Sequence, residues 1–301
     1  MLKDAGAKCL RNGEHMYQAG LVLEGGGMKG VYTSGVLDFF LEKGIEFSSC
    51  YGVSAGACSL CSFLSKQKGR AYHVNVDYLG DKEYCSLYSL LKTGDLFGAQ
   101  MCYYRIPDEL YPYDYAAYDR YQGTFYSVVT NIETGEPEYI PIKDMKKDIE
   151  AVRASASLPL VSNNVSYHGK LYLDGGISDA IPIKRSIEDG NRRNVVIMTK
   201  EVGYRRKPSS AAKLIKLKYR KYPKVYELMK NRHIAYNRTL DYLSEQVKTG
   251  NAYLIQPTHK SEVGRIEKDK QKLEALYQEG YLDGQRHYGK LMAYLENGEK
   301  T

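Results

Sequence analysis

The feature that most restricts this chain is a pair of strand-turn-helix units within residues 21–60. An apolar strand at residues 21–23 runs into E-G-G-G-M-K-G, and a helical pattern with one apolar face follows over residues 33–43. A second apolar strand, residues 45–51, runs into G-V-S-A-G and then into an apolar helical stretch. Residues 194–199, N-V-V-I-M-T, are typical of a buried parallel strand. Together these patterns predict an α/β fold with a mostly parallel sheet.

Ser54 is the first candidate catalytic residue, because it lies at the centre of G-V-S-A-G between Gly52 and Gly56. This pattern is typical of a sharp strand-to-helix turn in which small neighbours make room for a strained serine. The N-terminus of the following helix favours a developing negative charge near that serine. We therefore predict that Ser54 is a nucleophile. The alternative is a tight turn of small residues without chemistry.

The glycine-rich segment before the first helix has two functional interpretations. It matches the G-x-G-x-x-G pattern of dinucleotide sites, but such a site also needs an acid near the end of the second strand. No acid occurs between Glu46 and Asp77. We therefore favour an oxyanion hole for an acyl transition state. Its predicted donors are the backbone amides of Gly25, Gly26, Gly27 and Met28, with Lys29 and Gly30 completing the motif.

Asp174 is the candidate general base. It ends the apolar segment K-L-Y-L-D and is followed by Gly175 and Gly176, which leave its carboxylate free to point across a cleft. An Asp-Gly-Gly sequence by itself is more often an ordinary turn. Its significance here comes from the two motifs upstream.

Together these segments resemble the patatin-like phospholipases. E-G-G-G-M-K-G, G-V-S-A-G and D-G-G occur in the order and at the spacing of that family. The segment S-A-S-L-P at residues 155–159 is also similar to one that precedes D-G-G there. The resemblance is strong over residues 18–200, and residues 276–283 are similar to a helical C-terminal extension of some bacterial members.

The resemblance implies a three-layer α/β/α fold and a serine lipid acyl hydrolase with a Ser-Asp catalytic dyad. Ser54 would be the nucleophile and Asp174 its partner, and the amides around Gly26 and Gly27 would hold the oxyanion. The family often has Arg where this chain has Lys29, which keeps the charge but loses the planar guanidinium. We expect a lipid or other acyl ester as substrate, and neither a cofactor nor a metal.

Two other functions remain open. A Ser-His-Asp triad is compatible with the order of the chain, because His233, His259 and His287 all follow Asp174. None of these histidines has small-residue or glycine neighbours, and Glu24 stands where a histidine would precede the oxyanion segment in such enzymes. The second alternative is a non-catalytic protein that keeps this fold and binds an anionic partner through a basic face.

We predict four parts in the chain. Residues 1–17 form an N-terminal extension and residues 18–200 the catalytic core. Residues 201–257 contain a basic helical segment and the last strand of the core. Residues 258–301 form a C-terminal extension of two helices around Gly280, packed on the core.

Most of the net charge of +7 comes from residues 204–232, which hold eleven Lys or Arg and a single acid, Glu227. Such a segment is typically a solvated helix face, but it also suits contact with an anionic membrane surface. Nucleic acid is not expected, because no nucleic-acid-binding signature accompanies the charge. A group of tyrosines within residues 103–121 either lines an acyl pocket, meets a lipid surface or packs normally.

The cysteines and the N-terminal residues predict the compartment. The six cysteines lack the spacing of a disulfide framework, and Cys58 and Cys61 are expected to be buried free thiols. The first 19 residues show no signal-peptide pattern. We therefore expect a cytoplasmic protein that contacts membranes at most peripherally.

Overall fold

The computed structural model describes residues 8–9 and 15–296. Its described strands belong to one sheet, and their bounds are β1 Lys8–Cys9, β2 His15–Leu23, β3 Ile45–Val53, β4 Thr124–Asn131, β5 Pro137–Pro141, β6 Val165–Tyr167, β7 Lys170–Asp174, β8 Asn194–Ile197 and β9 Ala252–Ile255. The main order across the sheet is β6-β7-β4-β3-β2-β8-β9. The five strands from β4 to β9 in this order are parallel, whereas β6 and β7 extend the sheet in antiparallel pairing. The mostly parallel sheet predicted from the sequence is therefore confirmed.

Helices cover both faces of this sheet. Their bounds are α1 Gly30–Glu42, α2 Ala55–Leu64, α3 Arg70–Val76, α4 Leu87–Thr93, α5 Tyr115–Asp119, α6 Ile149–Ser155, α7 Ile183–Glu188, α8 Ala212–Lys218, α9 Pro223–Lys248 and α10 Lys270–Glu296. A π-helix, Met101–Leu110, lies between α4 and α5. Within these residues no helix combines the length and the apolar character that crossing a membrane requires.

The side chains of β2 show why three layers form. Leu21 and Leu23 belong to the larger apolar core, which includes residues of α1, α2 and α10. Val22 belongs to a separate core that includes residues of α7 and α9. Successive residues of a strand point to opposite faces, so a continuously apolar strand needs helices on both sides. This arrangement confirms the predicted α/β/α layering.

The C-terminal part packs on the core through one long helix. We predicted two helices around Gly280, and this was wrong because α10 continues through that residue from Lys270 to Glu296. Gly280 lies against α1, where a β-carbon would come within 2.0 Å of the carbonyl oxygen of Tyr32. The glycine therefore permits close contact between the two helices rather than ending one of them. Tyr32 also donates a hydrogen bond of 2.8 Å to Asp283.

The N-terminal segment and the basic segment both contribute elements to the fold. Strand β2 begins at His15, inside the segment predicted as an extension, and residues 1–7 and 10–14 lie outside the described residues. The basic segment forms α8 and the start of α9, and β9 follows as the last strand. The five cysteines with described side chains are free thiols, namely Cys50, Cys58, Cys61, Cys85 and Cys102.

Candidate active site

Ser54 occupies the corner between β3 and α2. Its backbone has φ +55° and ψ −122°, a region that residues other than glycine rarely adopt. Such a conformation costs roughly 1–3 kcal/mol and persists only where the surrounding structure imposes it. The predicted flanking glycines lie in tight contacts, Gly52 against Ala57 and Gly56 against Leu23. The sharp strand-to-helix turn expected of the G-V-S-A-G motif is therefore present in the fold.

Ser155 holds this turn in place, a role that the sequence reasoning missed. The amide of Ser54 donates to the hydroxyl of Ser155 at 2.9 Å, and that hydroxyl donates to the carbonyl of Val128 at 2.6 Å. Ser155 thereby links Ser54 to the neighbouring strand β4. It begins the S-A-S-L-P segment, which was the available signal for a role near the site.

The three consecutive glycines line a small cavity together with Ser54 and Asp174. A β-carbon on Gly25 would lie 2.7 Å from the β-carbon of Ser54, so only glycine allows this approach. Within the described part of the chain, the amides of Gly25, Gly26 and Gly27 have no hydrogen-bond acceptor. These unpaired N–H groups beside Ser54 are the kind of donors that an oxyanion hole needs.

Met28 differs from the three glycines before it. We predicted its amide as a fourth oxyanion donor, but that amide donates to the carbonyl of Arg265 at 3.0 Å. The donor is therefore already occupied in this structure. Lys29 is half-buried next to it, and Gly30 begins α1 where that helix approaches Ala55.

Asp174 ends β7 with its carboxyl group buried. Its Oδ1 accepts the amide of Gly176 at 2.7 Å, and its backbone carbonyl accepts the hydroxyl of Thr130. Gly175 lies so close to the carbonyl of Val128 that a β-carbon would be 2.1 Å from that oxygen. Gly175 of the D-G-G motif is thus required by its packing on β4.

The environment of Asp174 favours a proton acceptor. Burial raises the pKa of this carboxyl above its ordinary value, opposed by the positive charge of Arg232, the nearby Ser54 hydroxyl and the amide of Gly176. Its Oδ2 has no partner of ordinary hydrogen-bonding geometry within the described residues. The hydroxyl of Ser54 is thus close enough to influence the carboxyl without forming a regular hydrogen bond in this conformation. Catalytic hydrogen bonds often tighten only when substrate binds.

A large, mostly apolar cavity opens on one side of Ser54. Its volume is about 420 Å³. Its walls come from α2, the tyrosine-rich region and the segment after α6, with Cys58, Tyr84, Leu96, Tyr103, Tyr113, Tyr115, Met145, Val152 and Leu160 among the lining residues. Three of the tyrosines predicted for an acyl pocket are therefore part of this wall. Tyr118 and Tyr121 instead donate to backbone carbonyls elsewhere.

The other side of Ser54 is polar and positively charged. A cavity of about 30 Å³ lies there, lined by the catalytic candidates and by Lys200, Arg206, Arg232 and Arg265. Glu24 also lines it, but its carboxylate accepts hydrogen bonds from Tyr236 and Thr199. The sequence reasoning missed the four cations at this site. Arg206 and Arg232 fall within the basic segment, but their inward orientation had no local signal.

The remaining candidates lie elsewhere. His233, His259 and His287 line neither cavity, and His287 instead contacts the hydroxyl of Tyr253. Within residues 8–9 and 15–296, no cluster of three or more His, Cys, Asp or Glu side chains is arranged to hold a metal.

Two family models match the chain. The first, described as patatin-like phospholipase, covers residues 21–186, which is more than half of the chain and includes Ser54 and Asp174. The second, described as a domain of unknown function (DUF6363), covers residues 222–296. Arg232 and Arg265 lie within the second region.

Similar proteins include the uncharacterized protein YjjU of Escherichia coli (strain K12), 35% identical over 60% of this chain and 51% of that protein. The probable lipid hydrolase 463L of Invertebrate iridescent virus 6 is 26% identical over 59% of this chain and 66% of that protein. The chain thus spans about half to two thirds of these relatives. Among solved structures, VipD from Legionella pneumophila matches 97% of this chain and 70% of its own, with a TM-score of 0.45 and 15% identity.

Proposed function

Because the chain belongs to the patatin-like phospholipase family, we propose that it is a serine lipid acyl hydrolase that cleaves fatty acyl esters. The observation that carries this proposal is the meeting of three features at one point. A strained serine, a buried aspartate with a raised pKa and three glycine amides that have no acceptor among the described residues line the same small cavity. The name of the viral relative, a probable lipid hydrolase, agrees with this activity.

The proposed reaction has two stages. Asp174 accepts the proton of the Ser54 hydroxyl while the oxygen of Ser54 attacks the ester carbonyl. The amides of Gly25, Gly26 and Gly27 stabilise the negative charge that develops on the carbonyl oxygen. Asp174 then returns the proton to the leaving alcohol, and an acyl-enzyme remains. Water attacks this intermediate with Asp174 again accepting a proton, which releases the fatty acid.

The large cavity supplies a place for the acyl chain. It begins at Ser54 and is bounded mainly by apolar and aromatic side chains. Removing apolar surface from water contributes roughly 25 cal/mol per Å², so a fatty chain is the substrate part that such a cavity favours. A small polar acyl group would leave these walls unused.

A dyad accounts for the site better than a triad. The three histidines that follow Asp174 in the chain do not line the cavities that contain Ser54. Asp174 instead lines the small cavity together with Ser54, whose hydroxyl lowers its pKa. The proton is therefore transferred directly between serine and aspartate.

We also propose peripheral contact with an anionic lipid surface at the rim of the large cavity. Exposed leucines lie on two helices there, Leu87 and Leu91 on α4 and Leu214 and Leu217 on α8. Both helices bond to one rim segment, α4 through the Thr93 carbonyl to Asn163 and α8 through Lys218 to the carbonyl of Ser162. Exposed lysines accompany the leucines on α8. This combination of apolar and basic side chains suits an anionic membrane surface.

The activity is tested by fatty acid release from a long-chain phospholipid and from a short-chain soluble ester. We expect the wild-type protein to hydrolyse both, and Ser54→Ala and Asp174→Asn each to lose about 10⁴-fold in kcat. Ser49→Ala, on the strand before the nucleophile, and Asp119→Asn, at an exposed position, are the matched controls. Both controls should keep wild-type rates.

Two results would contradict the proposal. Full activity in Ser54→Ala would exclude this serine as nucleophile. No hydrolysis of any ester by folded wild-type protein that binds anionic vesicles would favour the non-catalytic alternative instead.

A further inference from the structure

The glycine segment beside Ser54 is held by a residue that the proposed reaction does not use. The hydroxyl of Thr199 donates to the carbonyl oxygen of Gly25 at 2.8 Å. A β-carbon on Gly26 would lie 2.6 Å from this hydroxyl, so the segment packs directly on Thr199. A β-carbon on Gly25 would instead lie 2.7 Å from the β-carbon of Ser54. The segment is therefore enclosed between Ser54 and Thr199.

Glu24 holds Thr199 in this position. This buried residue precedes Gly25, and its own amide donates to the carbonyl of Ile197 at 3.1 Å. Its Oε2 accepts the amide of Thr199 at 2.8 Å, and its Oε1 accepts the hydroxyl of Tyr236 at 2.6 Å. The hydroxyl of Thr199 lies farther from Oε2, at 3.2 Å, than from the carbonyl of Gly25. One carboxyl group thus joins Thr199 and Tyr236 at the start of the glycine segment.

The C-terminal part of the chain contacts both ends of the glycine segment. Tyr236 lies on α9, within residues 222–296 that match the model of unknown function. Burial, followed by the charge of Glu24, raises the pKa of Tyr236, so its hydroxyl keeps the proton that it donates. At the other end, the carbonyl of Arg265 accepts the amide of Met28 at 3.0 Å. Residues far along the chain therefore fix the segment before and after its three glycines.

The geometry of the peptide bond gives these contacts a chemical consequence. The carbonyl of Gly25 and the amide of Gly26 belong to one peptide group, and the described residues contain no cis peptide bond. In a planar trans peptide the C=O and N–H bonds point in opposite directions. Thr199 therefore fixes the direction of the Gly26 N–H by binding the Gly25 carbonyl. That N–H has no acceptor among the described residues, and Gly26 lines the small cavity with Ser54.

We propose that Thr199 and Tyr236 are positioning residues of the oxyanion hole, which direct the Gly26 N–H at the negative charge that develops on the ester carbonyl. This inference rests on the proposed function and identifies residues that set its geometry. Thr199 acts directly on the Gly25–Gly26 peptide, whereas Tyr236 acts through Glu24. Donors that are already oriented stabilise a transition state without any reorganisation during the reaction. The region of unknown function then contributes to the reaction as well as to packing.

The first test removes one hydroxyl and keeps the shape of the side chain. Thr199→Val should lower kcat on a soluble neutral ester by about 10–100-fold, less than the loss of about 10²–10³-fold expected when a whole oxyanion donor is removed. Thr199→Ser keeps the hydroxyl and should retain kcat within about threefold of the wild type. Thr33→Val is the matched control and should keep the wild-type kcat. Thr33 is also buried, its hydroxyl has no partner among the described residues, and it lines neither cavity.

A pair of inhibitors separates positioning from general structural damage. A long-chain trifluoromethyl ketone accepts the oxygen of Ser54 at its carbonyl carbon, the serine proton passes to Asp174, and the carbonyl oxygen becomes an oxyanion. The matching compound with a methylene group in place of the carbonyl binds without reacting. We expect Ki for the ketone to rise at least tenfold in Thr199→Val, while the Kd of the unreactive compound keeps its wild-type value. A hydroxyl with only a packing role would change both constants or neither.

Tyr236→Phe tests the indirect contact, and it tests the inference independently should Thr199→Val fail to fold. Loss of the hydrogen bond to Glu24 should lower kcat by about three- to tenfold, with the same selective effect on the ketone. Tyr242→Phe is the control on the same helix, where the ring lies under Lys184. The double variant Thr199→Val/Tyr236→Phe should lose less than the product of the two single losses, because both residues act on one segment.

The outcomes keep this inference apart from the proposed function. Wild-type kcat in Thr199→Val overturns the positioning role and leaves the proposed function standing. A parallel loss of affinity for both inhibitors also overturns it, because the hydroxyl then supports the cavity as a whole. Wild-type kcat in Tyr236→Phe, or losses that multiply in the double variant, overturns the role of Tyr236. No hydrolysis of any ester by the folded wild-type protein overturns the proposed function and this inference with it.

Discussion

The two sides of Ser54 differ in chemistry and in where their residues come from. The apolar cavity is built mainly by α2 and by residues 84–162, within the region that matches the family model. The four cations of the polar side all come from residues 200–265, beyond the end of that match. The proposed nucleophile and oxyanion donors thus belong to the family core, whereas the cations beside them come from residues 200–265. The match to the family model therefore covers the proposed catalytic residues but not all of the residues that line the site.

The arginines of the two sides show the same difference. Arg70 also lines the large cavity, but its guanidinium lies over Tyr111 and Tyr113 and donates to the carbonyl of Tyr111. The two terminal nitrogens of Arg70 are therefore paired, with the Ser62 hydroxyl and the Tyr111 carbonyl, whereas its Nε, like that of Arg206, has no partner among the described residues. Arg206 stacks on one ring in the same way but has no such acceptor within the described residues. Hydrogen bonding of the terminal guanidinium nitrogens, rather than charge alone, distinguishes a structural arginine from one available to a ligand.

The largest effect is expected at Ser54, which lines the cavities on both sides. Gly25→Ala places a methyl group against Ser54 and the carbonyl of Val53, so either the nucleophile or an oxyanion donor must move. We expect kcat on a soluble neutral ester to fall by about 10²–10³-fold. Gly80→Ala, where a β-carbon meets nothing within 4 Å, is the control and should keep wild-type kcat. Unchanged kcat in Gly25→Ala would place the oxyanion donors elsewhere.

The next effect is specific to the apolar side. Cys58→Phe fills the cavity one turn after Ser54, so long acyl chains lose space while short ones still fit. The ratio of kcat/KM for a twelve-carbon ester to that for a four-carbon ester should fall by about tenfold or more, since each methylene contributes about 1–3 kcal/mol. Cys58→Ser preserves the volume and should keep the ratio. An unchanged ratio in Cys58→Phe would show that the chain binds outside this cavity.

A smaller effect connects the polar side to the chemistry. Asp174 must be ionised to accept the proton of Ser54, so kcat/KM should rise with pH through the raised pKa of Asp174. Arg232 lowers that pKa, and Arg232→Gln should therefore move the acid limb of the neutral-ester profile to higher pH. Arg238→Gln, exposed on the same helix, should leave the limb in place. If the acid limb moves to lower pH or does not move, Arg232 does not lower the pKa of Asp174.

The smallest effect concerns the rim of the apolar side. Replacing Leu91 and Leu214 by serine removes exposed apolar surface that we propose contacts lipid. Partial burial of two such side chains predicts about a three- to tenfold decrease in the ratio of vesicle hydrolysis to soluble-ester hydrolysis. Leu282→Ser, on an exposed part of α10, is the control. Equal ratios in all three proteins would assign membrane contact to another surface.

Local patterns in the sequence predicted the family core well. Ser54, Gly25 and Asp174 each lie close to the end of a strand, where the turn restricts the allowed residues. Short sequence motifs therefore identify them. Strand β2 and helix α1 followed equally from periodicity. The prediction that one helix ends and another begins around Gly280 was wrong. Glycine has a weak helix propensity, but close packing against Tyr32 requires a glycine inside this helix.

The polar side was not predictable from such patterns. Arg265 lies in an irregular segment and reaches the site only through the fold, and Lys200 follows a strand like any other polar residue. The hydrogen bonds of Ser155 and Met28 could not be predicted from the sequence for the same reason. Whether a particular amide or hydroxyl is free depends on partners such as Arg265 and Val128, far along the chain.

The central claim is that Ser54 is activated by Asp174, and reaction with a fluorophosphonate probe read by intact mass tests it most directly. The account predicts a single adduct on the wild-type protein, no adduct on Ser54→Ala and a much slower reaction of Asp174→Asn. Ser49→Ala should react like the wild type. An adduct that persists on Ser54→Ala, or no adduct on wild-type protein from mildly acidic to basic pH, would contradict the account.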